Sequence, residues 1–151
     1  MSIHQQTVDI YHTYFAVSRQ LKRLAHQSAA QLGLTVHQIG ILNAVRARPG
    51  QTQKEVTEQL VFAKSRVSLH IDALVEKGLV ERRTSEQDRR ETLLYITAAG
   101  EECCLQYNAE AAAFKVLEDA LSQFSEAEAA GLLKLNLQLL ELLKQAANNE
   151  I

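Results

Sequence analysis

Residues 64–83 read KSRVSLHIDALVEKGLVERR, and this stretch decides the fold. Val67, Ile71 and Leu74 fall on one face of a helix when each residue turns the chain by about 100°. Gly78 is a natural end for that helix. The pattern after it changes from the helical period to a strand-like run. The stretch therefore predicts a helix that leads directly into a β-strand.

A charged hairpin follows the helix. Two strand-like runs, residues 79–84 and 92–97, are joined by a polar segment that contains Asp88. Asp88 can shape the tip by binding backbone amides or by pairing with an arginine. A narrow cationic protrusion suits the minor groove of DNA, where negative potential favours arginine. The arginines concentrated on this hairpin are Arg82, Arg83, Arg89 and Arg90.

Helices are predicted on both sides of this stretch. Apolar spacing indicates a long first helix over roughly residues 5–32. Pro49-Gly50 divides two short helices, predicted over 35–47 and 52–59. A fifth helix begins after Thr97, and a sixth follows Ser125. Three helix starts have the capping-box pattern, namely Thr35 with Gln38, Thr52 with Glu55 and Ser125 with Glu128.

Composition limits the chain to one ordinary globular domain, rich in helix. It has 151 residues, of which 46% are hydrophobic, with one proline and six glycines. The net charge of −2 hides a gradient, because residues 1–50 carry +4, residues 51–100 carry 0 and residues 101–151 carry −6. A simple polycation that coats nucleic acid is excluded, although a local basic surface can still bind DNA.

Several function classes find no support in the sequence. No nucleophile–base pair, phosphate-binding glycine loop or paired carboxylates are evident, so an enzyme is not expected and no cofactor or metal is predicted. Cys103 and Cys104 are adjacent, which suits neither a disulfide framework nor a CxxC motif. With no export signal and no membrane-spanning run, the expected location is the cytoplasm.

The order of these elements is that of a winged helix-turn-helix. The predicted fold is mainly α with a small β-hairpin wing, accompanied by a helical dimerisation region. On the recognition helix, Arg66 can donate to guanine, Leu69 can pack against a thymine methyl group and Lys64 can bind phosphate. Asp72 and Glu76 would repel phosphates, so only the first half of the helix should enter a groove. The predicted contacts there are Lys64, Ser65, Arg66, Ser68 and Leu69.

Residues 36–100 resemble the DNA-binding lobe of the MarR family of bacterial transcriptional regulators. The resemblance rests on residues 64–68 at the start of the recognition helix, residues 74–82 leading into the wing and residues 88–90 at its tip. It implies a triangular homodimer that reads a palindromic promoter site and represses until a small ligand releases it. Residues 5–34 and 97–147 would form the dimerisation region.

The resemblance also implies roles for single residues. Arg90 would enter the minor groove with Asp88 orienting it, and the major groove would receive Ser65, Arg66 and Ser68. At Leu69, many relatives carry a polar or basic residue, so the base preference of this surface is not taken from the family.

The same resemblance implies an effector site between the dimer helices and the winged lobe. Its candidate lining residues are Tyr11, Tyr14, Phe15, His37 and Ile41, although apolar residues at this spacing also suit a core. Two alternatives keep the same fold, a regulator that responds to a metal and one that responds to oxidants. His12 and His26 are about 21 Å apart along the first helix, too far to share an ion.

Eight leucines lie between Leu132 and Leu143, over too much of the helix circumference for one core-facing stripe. We expect two apolar partners, the core of the chain itself and a second copy. One alternative is a central helix buried within a monomer. Another is that the leucines and Leu69 bind a different protein, in which case the chain is a winged-helix interaction module rather than a DNA-binding protein.

Overall fold

The computed structural model describes residues 1–60 and 64–149, without the side chains of Lys64 and Ser65. The chain divides into two compact units, Met1–Ala113 and Phe114–Ile151. No helix among the described residues is long and apolar enough to cross a membrane. The elements in chain order are α1 (Ile3–Gln31), α2 (Val36–Ala47), β1 (Gln51–Thr52), α3 (Gln53–Leu60), α4 (Lys64–Glu76), β2 (Val80–Thr84), β3 (Thr92–Ile96), α5 (Ala98–Glu110), α6 (Ala112–Leu121) and α7 (Glu126–Asn149).

Side-chain caps begin the helices where the sequence predicts them. The hydroxyl of Thr35 accepts from the backbone of Gln38 at 3.2 Å, and the Gln38 side chain accepts from the Thr35 backbone at 3.0 Å. Ser125 and Glu128 form the same reciprocal pair ahead of α7. At Thr52 only the hydroxyl bond to the Glu55 amide forms. The Glu55 carboxylate instead accepts from Arg48 at 3.2 Å.

The core of the winged lobe, residues 36–100, lies where α2, α3 and α4 meet the sheet. The predicted inward face of α4 is confirmed, since Val67, Ile71 and Leu74 are fully buried. Leu94 of β3 is also fully buried, and Val80 of β2 is nearly so. Burying this apolar surface stabilises the lobe and fixes the rotation of α4 about its axis, which decides the residues that face outward.

The wing is a three-stranded antiparallel sheet with the order β1-β3-β2. The pairing of β2 with β3 places Arg82 opposite Leu94 and Val80 opposite Ile96. The sequence did not predict β1, whose two residues add to the far edge of β3. Two residues are too few to show a period, so this strand depends on its partner rather than on a local pattern.

The sequence also missed α6. The fifth helix ends at Glu110, and Ala111 leaves the helical conformation with φ −58° and ψ 124°. The backbone amide of Ala113 then donates to the hydroxyl of Ser28 at 3.1 Å, in a buried contact. Alanine is the strongest helix former, so its sequence carries no stop signal. This break is therefore set by a tertiary hydrogen bond across 85 residues.

Candidate nucleic-acid interface

The outward face of α4 offers side chains to a ligand opposite its buried face. Arg66 is exposed and Ser68 is half-buried. The side chain of Leu69 is 67% exposed. Lys64 and Ser65 begin the helix, but their side chains lie outside the described part of the structure, so their DNA contacts stay predictions. The predicted rotation of α4 thus holds for the three predicted contact residues whose side chains are described.

Hydrogen bonds from its own polar residues shape the tip of the wing. The hydroxyl of Ser85, which is buried, accepts from the backbone amides of Gln87 and Asp88, each at 3.3 Å. The Ser85 amide donates to the carbonyl of Glu91 at 3.0 Å, and the Glu91 amide donates to that of Asp88 at 3.0 Å. These bonds close the turn and hold its backbone in one conformation.

Asp88 orients Arg90 within this turn. One carboxylate oxygen, Oδ1, accepts from the backbone amide of Arg90 at 3.0 Å and from its Nε at 3.3 Å. The Arg90 side chain is nevertheless 93% exposed. A charged pair this exposed contributes little stability, but the two bonds limit the directions that the guanidinium takes. The contact between Asp88 and an arginine that the sequence predicted is therefore present.

Arg82 joins the wing to the recognition helix. Its Nη2 lies 2.5 Å from Oδ1 of Asp72 on α4. The sequence predicts Arg82 as part of the basic wing and Asp72 as a carboxylate that repels phosphates, with no contact between them. In the structure each compensates the charge of the other. A DNA contact by Arg82 stays a prediction, and it would compete with this ion pair.

Arg83 is held on the opposite side of β2. Its guanidinium donates to the carboxylate of Glu81 at 3.2 and 3.3 Å and lies 4.2 Å from the centre of the Tyr95 ring. The hydrogen bonds to Glu81 raise the pKa of Arg83 further above its usual value, so its charge is fixed at any working pH. Positive charge at the wing is thus distributed between Arg82 and Arg83 within β2 and the more exposed Arg90 at the tip.

His70 of α4 packs against His37 of α2, with ring centres 5.3 Å apart. Burial lowers the pKa of His70 below its usual value, and positive charge on His37 and Arg66 lowers it further. The sequence predicts His37 at an effector site and no role for His70. The helical spacing of His70, three residues after Val67 on the buried face, is the signal that could have indicated a partly buried position.

The five candidate effector residues differ in their surroundings. Ile41 is fully buried in the core of the winged lobe. On α1, Tyr11, Tyr14 and Phe15 are between 44% and 59% exposed, and the rings of Tyr11 and Phe15 are 4.9 Å apart. A cavity of about 100 Å³ lies elsewhere and includes none of the five. It is lined by Ser28, Gln31, Leu32, Gln106, Tyr107, Glu110 and Ala111.

Neither alternative sensor chemistry gains support from the described residues. They contain no group of three or more His, Cys, Asp or Glu side chains placed to hold a metal ion. Burial raises the pKa of both the Cys103 and the Cys104 thiols above the usual value. A raised pKa disfavours the thiolate, which is the form that reacts with oxidants.

Comparisons with known proteins agree with this architecture. The family model described as MarR family matches residues 32–91. A putative transcriptional regulatory protein for the hcr operon of Thauera aromatica is 29% identical over 96 residues, which are 64% of this chain and 57% of that protein. The chain thus spans little more than half the length of this curated relative.

Solved structures match over most of the chain. The multiple antibiotic-resistance repressor MarR of Listeria monocytogenes is 26% identical with a TM-score of 0.69, and the match covers 95% of this chain and 99% of that one. A mutant MarR from E. coli complexed with operator DNA shares the fold at 22% identity and a TM-score of 0.74, covering 93% and 99% of the two chains. The family match in the winged lobe and these likenesses show that the chain has the winged helix-turn-helix fold of MarR-family proteins and is similar in sequence to transcriptional regulators of that family.

Proposed function

We propose that this protein is a sequence-specific DNA-binding regulator, acting as a dimeric repressor that a small ligand releases from a palindromic promoter site. The observation that carries the proposal is the exposed guanidinium of Arg90, held by Asp88 at the tip of an ordered turn. An ordered cationic protrusion beside an outward-facing helix is the arrangement that winged helix-turn-helix proteins use on DNA. The structure of the E. coli relative with operator DNA supports the same use of this fold.

The first half of α4 would read the major groove. An α-helix fits this groove, and arginine recognises guanine there by donating two hydrogen bonds to O6 and N7. Arg66 is exposed on the side of the helix away from the core, where it can reach a base edge. We assign Ser65 and Ser68 to bases or phosphates and Lys64 to a phosphate. The last turn carries Glu76 and would stay outside the groove.

The wing would reach the neighbouring minor groove. A narrow minor groove concentrates negative potential, which attracts an inserted arginine. Because the hydrogen bonds that Arg90 donates to Asp88 restrict its side chain before DNA binds, less conformational freedom is lost on binding. Arg89 and Arg82 would contact the flanking phosphates.

A second copy of the chain would cover the apolar surface outside the winged lobe. No residue of α7 is buried, and Leu132, Leu133, Leu135, Leu137, Leu140, Leu142 and Leu143 are between 49% and 64% exposed. Monomeric proteins rarely expose a continuous apolar surface of this size. A dimer with two-fold symmetry presents two winged lobes, which explains why a palindromic site would be read. We assign residues 5–34 and 97–147 to this dimerisation region.

Effector release would act through residues of α1 and α2. The aromatic residues Tyr11, Tyr14 and Phe15 have the exposed ring surface that an apolar ligand would bind, and His37 contacts the recognition helix through His70. A ligand that moves His37 would therefore disturb α4 directly. Ile41 fills the core and would support such a site from behind rather than line it.

Fluorescence anisotropy with DNA from upstream of its own gene tests the proposal. The affinity should fall steeply as salt rises from about 50 to about 200 mM, because phosphate contacts release counterions. A scrambled duplex of the same length and composition is the control and should bind more weakly. Equal affinity for both duplexes would rule out specific recognition. A salt-insensitive complex, or none, would instead favour the protein-interaction module.

A further inference from the structure

Leu69 is an isolated apolar side chain on a polar surface. Among the described residues of the winged lobe, 36–60 and 64–100, it is the one large apolar side chain that is exposed. It lies on the outward face of α4, one turn after Arg66. The lobe does not need it for its own core, which Val67, Ile71 and Leu74 already fill.

A leucine at this position cannot form hydrogen bonds with base edges. The apolar group that DNA presents in the major groove is the C5-methyl group of thymine, and side chains such as alanine and phenylalanine contact it there. Three residues along α4 advance about 4.5 Å, compared with a base step of about 3.4 Å. Arg66 and Leu69 are therefore spaced to contact neighbouring base pairs.

The surroundings of Leu69 favour DNA over a protein partner. Arg66 precedes it on the same helix, and the positive wing adjoins α4 through the ion pair between Arg82 and Asp72. Protein-binding surfaces need a cluster of apolar anchors, whereas Leu69 stands alone among the described residues of the lobe. DNA complements both the positive charge around Leu69, through its phosphates, and the single apolar side chain, through the methyl group of thymine.

We propose that Leu69 determines part of the DNA specificity by packing against the 5-methyl group of one thymine in each half of the site. This inference rests on the proposed function and deepens it. The thymine lies next to, or one step beyond, the base pair that Arg66 contacts. Methyl burial, rather than hydrogen bonding, distinguishes thymine from cytosine at this position.

The test begins with the full chain and DNA selected from a random pool. Each thymine of the selected site is then replaced by deoxyuridine, which lacks only the 5-methyl group. For the unsubstituted protein, deoxyuridine at one particular position of a half-site should weaken binding by about fourfold. This is the ratio expected for the loss of one buried methyl group. Leu69→Ala, whose side chain is too short to cover the methyl group from this position, should lower the ratio between the thymine and deoxyuridine duplexes. Any effect of the base change on DNA shape is the same for both proteins and cancels when the two ratios are compared.

Two variants separate this contact from general loss of binding. Leu69→Met keeps an apolar side chain and should keep most of the discrimination. Arg66→Ala should weaken binding overall but retain the ratio between thymine and deoxyuridine. Circular dichroism should show that Leu69→Ala folds normally, since the side chain is outside the core.

The outcomes distinguish failure of the thymine contact from failure of the proposed function. If tight, selective binding shows no position sensitive to deoxyuridine, or if Leu69→Ala keeps the same sensitivity, the thymine contact is wrong while the proposed function stands. If no DNA is selected from the pool, both are wrong.

Discussion

Asp72 of the recognition helix and Arg82 of the wing form an ion pair, with 2.5 Å between Oδ1 and Nη2. The turn at Gly78 joins the helix to the wing along the chain, and the ion pair adds a second link between them. Both side chains are partly exposed, at 54% and 32%, so water screens their attraction. We infer that the pair positions the wing more than it stabilises the fold.

Breaking this ion pair should therefore cost little stability. Asp72→Asn and Arg82→Ala should each lower the free energy of unfolding in urea by less than about 1 kcal/mol, with a coupling between them of about 0.5 kcal/mol in a double-mutant cycle. The pair between Glu81 and Arg83, which lies within one strand, is the matched control. DNA binding should weaken in Asp72→Asn, although the change removes a negative charge and frees Arg82 to contact phosphate, because the wing loses its link to α4. Tighter binding would show that charge outweighs wing position.

Arg90 should contribute to DNA affinity without selecting bases in the major groove. Arg90→Ala should weaken binding to all sequences and reduce the slope of log affinity against log salt by about 1 per subunit, because one phosphate-region contact is lost. Asp88→Ala should have a smaller effect in the same direction, since the guanidinium remains but loses its orientation. Arg19→Ala removes an exposed arginine from α1 and serves as the control. An unchanged salt slope in Arg90→Ala would contradict the minor-groove assignment.

How far the sequence predicts this surface depends on the range of each interaction. The caps at Thr35 and Ser125 and the buried face of α4 follow from residues a few positions apart, so their patterns are visible in the chain. The contact from Ser28 to Ala113 and the pair of Asp72 with Arg82 join separate elements. No local sequence pattern predicts that the two residues of either contact meet in the fold. Ile41 shows the same limit, because an apolar residue at helical spacing suits a pocket or a core equally well.

The stability of the winged lobe should depend on pH through His70. Burial and nearby positive charge lower its pKa in the folded state, so the unfolded chain binds a proton more readily. Both states are neutral well above pH 6.5, and no difference arises there. As the pH falls through about 6.5, the usual value for histidine, the unfolded state is protonated first and the fold loses stability.

Urea unfolding between pH 8 and pH 5 measures this dependence. His70→Gln should reduce the loss of stability on acidification, since it removes the titrating ring. His12→Gln, which alters an exposed histidine on α1, is the control and should keep the dependence of the unsubstituted chain. If the two variants behave alike, His70 is not the group responsible.

A methyl group at Gly100 should destabilise the fold. A Cβ at this position would collide with the backbone carbonyl oxygen of Leu79 and would lie 2.7 Å from Cγ1 of Ile96. We expect Gly100→Ala to lower the free energy of unfolding by about 1–3 kcal/mol, as other overpacked sites do. Gly131→Ala is the matched control on α7, where nothing lies within 4 Å, and helix propensity predicts a gain of up to about 1 kcal/mol. Equal effects would show that α5 can move away from Leu79.

The exposed leucines of α7 should hold two copies of the chain together. Full-length protein should sediment as a dimer, and Leu137→Glu combined with Leu140→Glu should give monomers or insoluble protein, because two carboxylates would replace buried apolar contacts. Gln138→Glu adds a charge to the same helix without removing a leucine and should remain dimeric. Since one winged lobe contacts only half of a palindrome, the monomeric variant should also bind the full site much more weakly. A full-length chain that sediments as a monomer at all concentrations would contradict this assembly.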